Sequence, residues 1–200
     1  MNGRGRFVGV TRLPHALRSL WQVFRRRAFS IFPELPWVPF DVIPRLTVIV
    51  HGRARVWEIG AGMSTLWLAK HAGQVTSIEA SREWFDQLTG ILAQRGLKNV
   101  DLRYEWVADK MANFDELPDG SLDLLFVDGG PRHECLKRGF SKVRPGGHIY
   151  LDNWDVENFW PGSEAFLETQ RGVIASMESF TDYVPGSFAV NEGLLITLRG

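Results

Sequence analysis

Four carboxylates in this 200-residue chain stand at the ends of short apolar runs: Glu58, Glu79, Asp128 and Asp152. Between the first two lies a glycine turn, Glu58-Ile-Gly60-Ala61-Gly62-Met-Ser64-Thr65. Turns of this kind present backbone N–H groups and a helix N-terminus to a ligand. A pyrophosphate-binding turn needs a third glycine, and Thr65 fills that position. Glu58, two residues before Gly60, would also repel a pyrophosphate at close range. The turn therefore suits a cationic ligand better than a dinucleotide.

S-adenosylmethionine is such a ligand, with a sulfonium, an amino group and no phosphate. Glu58-Ile-Gly-Ala-Gly resembles the first motif of the class I S-adenosylmethionine-dependent methyltransferases. "LPDGSLDLLFVDGG", ending in Asp128-Gly-Gly, resembles that family's fourth-strand motif, and Pro145-Gly146-Gly147 the turn before its fifth strand. The pair Glu58-x-G-x-G-x-Ser64-Thr65 and Asp128-Gly-x-x-Arg132-x-x-Cys135 is similar to a bacterial branch of the family. The likeness runs from about Trp37 to the C-terminus. It implies that Glu58, Gly60, Ala61, Gly62, Ser64 and Thr65 cradle the methionine end of the cofactor. It implies further that Glu79, with Ala80 beside it, takes the ribose, since a carboxylate can accept from both hydroxyls. Asp109 would read the adenine amino group, and Asp128 would orient the cofactor.

Methyl transfer needs a nucleophile aligned behind the methyl group. A hydroxyl acceptor also needs its proton removed. Asp128, Asp152 and Asn153 match, in type and placement, the divalent-metal ligands of catechol-type O-methyltransferases, so the resemblance implies Mg2+ as a second cofactor. The plainer alternative has Asp128 orienting the cofactor and Asp152-Asn153 capping a loop. The lysine that catechol-type enzymes carry after the fourth-strand aspartate is absent: Pro131 takes its place and Lys137 lies farther on. The catalytic candidates are Asp128 and His133, the latter either a general base or a surface residue at a helix start. Arg132 is placed to pair with an acid of the site or of the substrate. Cys135 reads as a small buried residue. Trp154, Phe159 and Trp160, with Trp37 and Phe40 opposite, either line a pocket for a flat, apolar small molecule or close the core. The expected reaction is O-methylation of a small molecule. The alternatives are a catalytically silent cofactor-binding partner subunit and a nicotinamide-dependent oxidoreductase.

Strands and helices alternate after residue 55, as in a doubly wound, mainly parallel, seven-stranded Rossmann-like sheet. Runs at 56–59, 75–79, 100–107, 122–128 and 148–152 read as strands, and two more close the chain. Helices are expected after the glycine turn, after Ser81, near 132–143 and over "SEAFLETQ". In such sheets ligands bind beyond the carboxyl ends of the strands, where the four acids stand.

Residues 46–200 are assigned to this domain, and residues 1–45 to a basic helix and a proline-rich linker, "PELPWVPFDVIP". Leu13, Leu17, Leu20, Trp21, Phe24 and Phe29 recur at helical spacing. The helix either packs this face on the domain or touches a membrane surface or a protein partner through residues 12–29. Seven of the 23 Lys+Arg fall in residues 1–33, leaving 16 against all 23 Asp+Glu, so the core is acidic and nucleic-acid binding is disfavoured. Cys135 is the only cysteine, and no apolar run reaches membrane-spanning length, so a cytoplasmic location is expected.

Overall fold

A computed structural model describes residue 5 and residues 8–200. Helix α1 (Leu13–Phe29) and the short α2 (Ile43–Ile49) precede the sheet. Then β1 (Arg55–Ile59), α3 (Met63–His71), β2 (Gln74–Glu79), α4 (Arg82–Gln94) and β3 (Val100–Tyr104) follow in turn. The chain continues through α5 (Ala108–Met111), β4 (Leu122–Val127), α6 (Arg132–Gly139), β5 (Val143–Leu151) and α7 (Ser163–Thr169). It ends in the hairpin β6 (Ile174–Val184) and β7 (Ser187–Leu198).

The sheet order is β3-β2-β1-β4-β5-β7-β6, with β7 antiparallel to both of its neighbours. β1 and β4 are central and almost wholly buried, as their continuous apolar composition requires. Alternation along β1 sends Trp57 and Ile59 into the core under α6 and α7, and Val56 to the opposite face with α2 and α3. Glu58 shares that second face. Strand order reverses between β1 and β4, which sets the crevice there.

Three expectations are corrected. The strand foreseen over 100–107 stops at Tyr104, because Glu105 Oε1 accepts from the amides of Trp106 and Val107 and satisfies them without a ladder. Pro145-Gly146-Gly147 lies inside β5, looped out between the pairings Leu122–Val143 and Leu124–His148. The linker joins the core, with Val38, Phe40 and Val42 buried, and α2 begins within it. Pro44 sits in the first turn of α2, where its missing N–H costs nothing.

Helix α1 packs on the β6–β7 hairpin, but by its polar side. Ser19 is fully buried, with its hydroxyl 3.0 Å from the Val184 carbonyl and 2.8 Å from that of Ser187. Gln22 Oε1 accepts from Gly186 N at the hairpin turn, and His15 Nδ1 lies 2.5 Å from the buried Asp182. Arg12 pairs with Asp41, and Arg18 lies over the Phe40 ring. The apolar side of α1 faces solvent, the reverse of the packing expected for such a helix.

Candidate functional site

Gly60 follows β1 with φ +91°, and a Cβ there would lie 2.9 Å from the Asp128 carbonyl carbon and from Gly129 N. The tips of β1 and β4 thus meet backbone to backbone. Gly60 N and Ala61 N donate to the Ile78 carbonyl, and Asp128 N donates to that of Ile59, tying the turn to both neighbouring strands.

Glu58 lies beneath this turn and not at its mouth. It is fully buried, and Oε2 accepts from Thr65 Oγ1 and Ser77 Oγ, both at 2.6 Å. Ser77 is its register partner across β1–β2. Thr65 Oγ1 in turn accepts from Gly62 N, so the residue in the third-glycine position tethers the turn to Glu58. Burial pushes Glu58 up to about 7, against the opposing hydroxyls of Ser64, Ser77 and Thr65. Its Oε1 has no hydrogen-bond partner.

A cavity above the turn is lined by Trp37, Gly60, Ala61, Gly62, Met63, Ser64, Trp84 and Asp128. The first turn of α3 supplies Met63 and Ser64, where helix geometry leaves N–H groups without intrahelical acceptors. Trp84, absent from the sequence-derived candidates, donates its indole N–H to the Ala61 carbonyl at 2.9 Å and walls the cavity. The signal for it was its place in the first turn after Ser81, the N-cap of α4. Glu79 closes β2; Oε1 accepts from Ser81 N at 2.6 Å, and burial raises its pKa. Ala80 beside it is exposed. Asp128 on the cavity wall, the amides of the turn and Glu79 at the end of β2 fit a cationic ligand carrying a carboxylate and hydroxyls.

Asp109 does not join them. It sits on the one-turn helix α5 with its side chain 82% exposed, and pairs with Arg138 at 2.9 Å.

Asp128, Asp152 and Asn153 do come together, and Arg132 lies among them. Its Nη1 is 3.5 Å from Asp128 Oδ1 and 3.2 Å from the Asp152 carbonyl, and its Nη2 is 3.2 Å from Asn153 Oδ1. The guanidinium stacks over Phe159 and Trp160. Asp152 is buried and accepts from Tyr150 Oη at 2.9 Å; burial and the neighbouring Asp128 raise it well above the usual carboxylate range. Asn153 adopts the left-handed conformation, φ +54°, that turns it toward Arg132. This donor set does not fit a divalent ion, because a fixed positive charge already lies between two of the three ligands. His133 turns away toward α7, with Nδ1 2.8 Å from Ser163 Oγ. Cys135 is buried, and burial pushes its thiol up to about 12. Trp154 and Trp160 close the core, whereas Phe159 is exposed.

Behind Asp152, β7 passes Tyr150 at Gly193, where a Cβ would lie 2.1 Å from the phenol oxygen. Gly193→Ala is expected to displace Tyr150 and lower stability by about 2 kcal/mol. Urea unfolding measures this, and an unchanged midpoint would contradict the packing described.

Comparison with known proteins bears on this arrangement. Residues 57–154 match a sequence family described as a methyltransferase domain. The fold is similar to that of the O-methyltransferase TomG from Streptomyces achromogenes, solved with S-adenosylmethionine (TM-score 0.63, 21% identity, 92% of this chain and 90% of that one). It is equally similar to an O-methyltransferase from Bacillus cereus solved with S-adenosylhomocysteine (TM-score 0.64, 21% identity, 90% of each chain). A lysine methyltransferase of elongation factor 1A from Danio rerio is 29% identical over 132 residues, which is 58% of this chain and 57% of that relative. The matching region thus spans little more than half of that protein.

Proposed function

We propose that this chain, a class I S-adenosylmethionine-dependent methyltransferase, delivers the methyl group to a hydroxyl oxygen of a small molecule. The observation that carries this reading is the Asp128–Arg132 pair at the edge of the cavity, a carboxylate and a fixed cation beside the cofactor turn. The O-methyltransferases named among similar structures support it.

When bound, S-adenosylmethionine supplies an electrophilic methyl group on its sulfonium. The turn from Gly60 to Ser64 would hold the methionine end, and Glu79 would accept from the ribose hydroxyls. Asp128 would take the proton of the acceptor hydroxyl, freeing the acceptor's oxygen for the methyl group. Arg132 stabilises the negative charge developing on that oxygen. Mg2+ has no step in this scheme, since Arg132 supplies the positive charge the metal would bring. Turnover is therefore expected to be unchanged by EDTA or added Mg2+; loss on chelation with recovery on Mg2+ would refute this role for Arg132.

Calorimetric titration with S-adenosylhomocysteine, with NAD as control, tests the cofactor assignment. Glu79→Ala removes a charged acceptor for two hydroxyls and is expected to weaken S-adenosylhomocysteine roughly thirtyfold. Unchanged affinity would disprove the ribose role. Radiolabelled methyl transfer to phenols and catechols tests the acceptor class. A second reading, a protein lysine acceptor, draws on the Danio rerio relative and on the carboxylates of Glu79 and Asp128, and the same assay with lysine-bearing peptides distinguishes it. Tight cofactor binding with no turnover on either class would favour a silent partner subunit.

A further inference from the structure

The apolar side of α1 has no partner within the described residues. Leu13, Leu17, Leu20, Trp21 and Phe24 fall on one helical stripe, each more than half exposed, with Trp21 and Phe24 stacked at 5.5 Å. Phe29, Ile31 and Phe32 extend the exposed apolar surface past the helix end. Surfaces of this kind on an otherwise well-packed domain mark interaction sites.

The helix is not a loose arm that could roll over to bury this face. Ser19, Gln22, His15 and Arg12 fix its other side to β6, to the hairpin turn, to Ser187 at the start of β7 and to Asp41. The stripe is therefore displayed by the fold. Arg18 and Arg25 lie along one border of it and Arg27 along the other, all three exposed, by the 3.6-residue period. Residues 1–33 contain no acid.

We propose that this face docks the enzyme on an anionic lipid surface, with the stripe entering the acyl–headgroup boundary and the bordering arginines meeting lipid phosphates. The charge pattern selects this occupant over a second copy of the chain. An isologous pairing would set arginine-bordered stripes against each other, and Glu34, the acid beside them, is already engaged by Lys70 and Arg95. Toward its C-terminal end α1 reaches the cavity wall, where the Arg26 guanidinium lies 5.0 Å over the Trp37 ring. Docking would thus bring the cofactor cavity close to the bilayer. No described helix is long and apolar enough to cross a membrane, so the contact is one of lying on the surface.

The test is co-sedimentation of the full chain with phosphatidylcholine vesicles, with and without phosphatidylglycerol, at low and high salt. Binding is expected only with phosphatidylglycerol, and salt should weaken it. Arg25→Ala and Arg27→Ala should each weaken it roughly fivefold. Leu17→Glu with Trp21→Glu should abolish it while S-adenosylhomocysteine affinity, the check on folding, stays at the wild-type value. The proposal is overturned if the folded wild type stays in the supernatant with both vesicles, or if the double glutamate variant binds as well. It is equally overturned if light scattering finds a dimer that this variant splits, without vesicle binding, since the face would then join two copies.

Discussion

Gly60→Ala is expected to lower stability by about 4 kcal/mol and to remove measurable S-adenosylhomocysteine binding. Two costs combine. A φ of +91° is a left-handed conformation that alanine adopts only with strain. Its Cβ would also meet the Asp128 carbonyl carbon and Gly129 N at 2.9 Å. Both atoms are backbone, so no rotamer change relieves the contact; the tip of β1 or β4 must move. That movement separates the glycine turn from Asp128, which together wall the cavity. In a chain of this length the melting temperature should fall by roughly 10 °C. Gly62→Ala is the informative contrast. Gly62 is extended at φ −172°, and the nearest atom to an added Cβ is Ser64 Oγ at 3.7 Å. Stability should hardly change there, while affinity falls because the methyl group enters the space the ligand occupies. Calorimetry and thermal unfolding of both variants separate the two roles. Wild-type melting and affinity in Gly60→Ala would show that the strand tips are not in contact.

This pair also marks what the sequence made legible. The glycine turn, the strand-end acids and the alternation of strands and helices follow from local pattern, and the sheet assembles them as that pattern requires. What was hidden depends on elements distant in sequence. Asp109 has the right spacing for the cavity, but the single turn of α5 rotates it outward to Arg138, twenty-nine residues away. The helical period of α1 identified an amphipathic helix without saying which face would dock. That choice was made by Val184, Gly186 and Ser187, whose carbonyls and amide match Ser19 and Gln22 and exist as a surface only once β6 and β7 pair. Arg132 is expected from the sequence to pair with an acid of the site or of the substrate, and it meets Asp128 at 3.5 Å. Its insertion between Asp128 and Asn153 required the left-handed turn at Asn153, which residue type alone does not dictate.

The sequence alone presents Glu58 as a charge facing the ligand, and its burial turns it into a source of pH-dependent stability. Its pKa lies near 7 in the folded chain against 4.5 for the ordinary carboxyl. Below pH 4.5 both states carry the proton and Glu58 has no effect on the balance. Between 4.5 and 7 the unfolded chain gives up the proton while the folded chain keeps it, so stability falls as pH rises. Above 7 both are ionised, and the loss levels off at about 3 kcal/mol. Asp128 and Asp152, also raised by burial, act in the same direction, so the wild-type profile alone does not isolate Glu58. Glu58→Gln does. The amide oxygen can still accept from Thr65 and Ser77, but the group no longer titrates. The variant should track the wild type up to a constant offset below pH 4.5 and then gain on it steadily, the gap growing by about 3 kcal/mol by pH 8. Urea unfolding at a series of pH values measures that gap. A gap that does not widen would mean that Glu58 is ionised in the folded state, held by its hydroxyl donors against burial. The glycine turn would then rest on a buried charge.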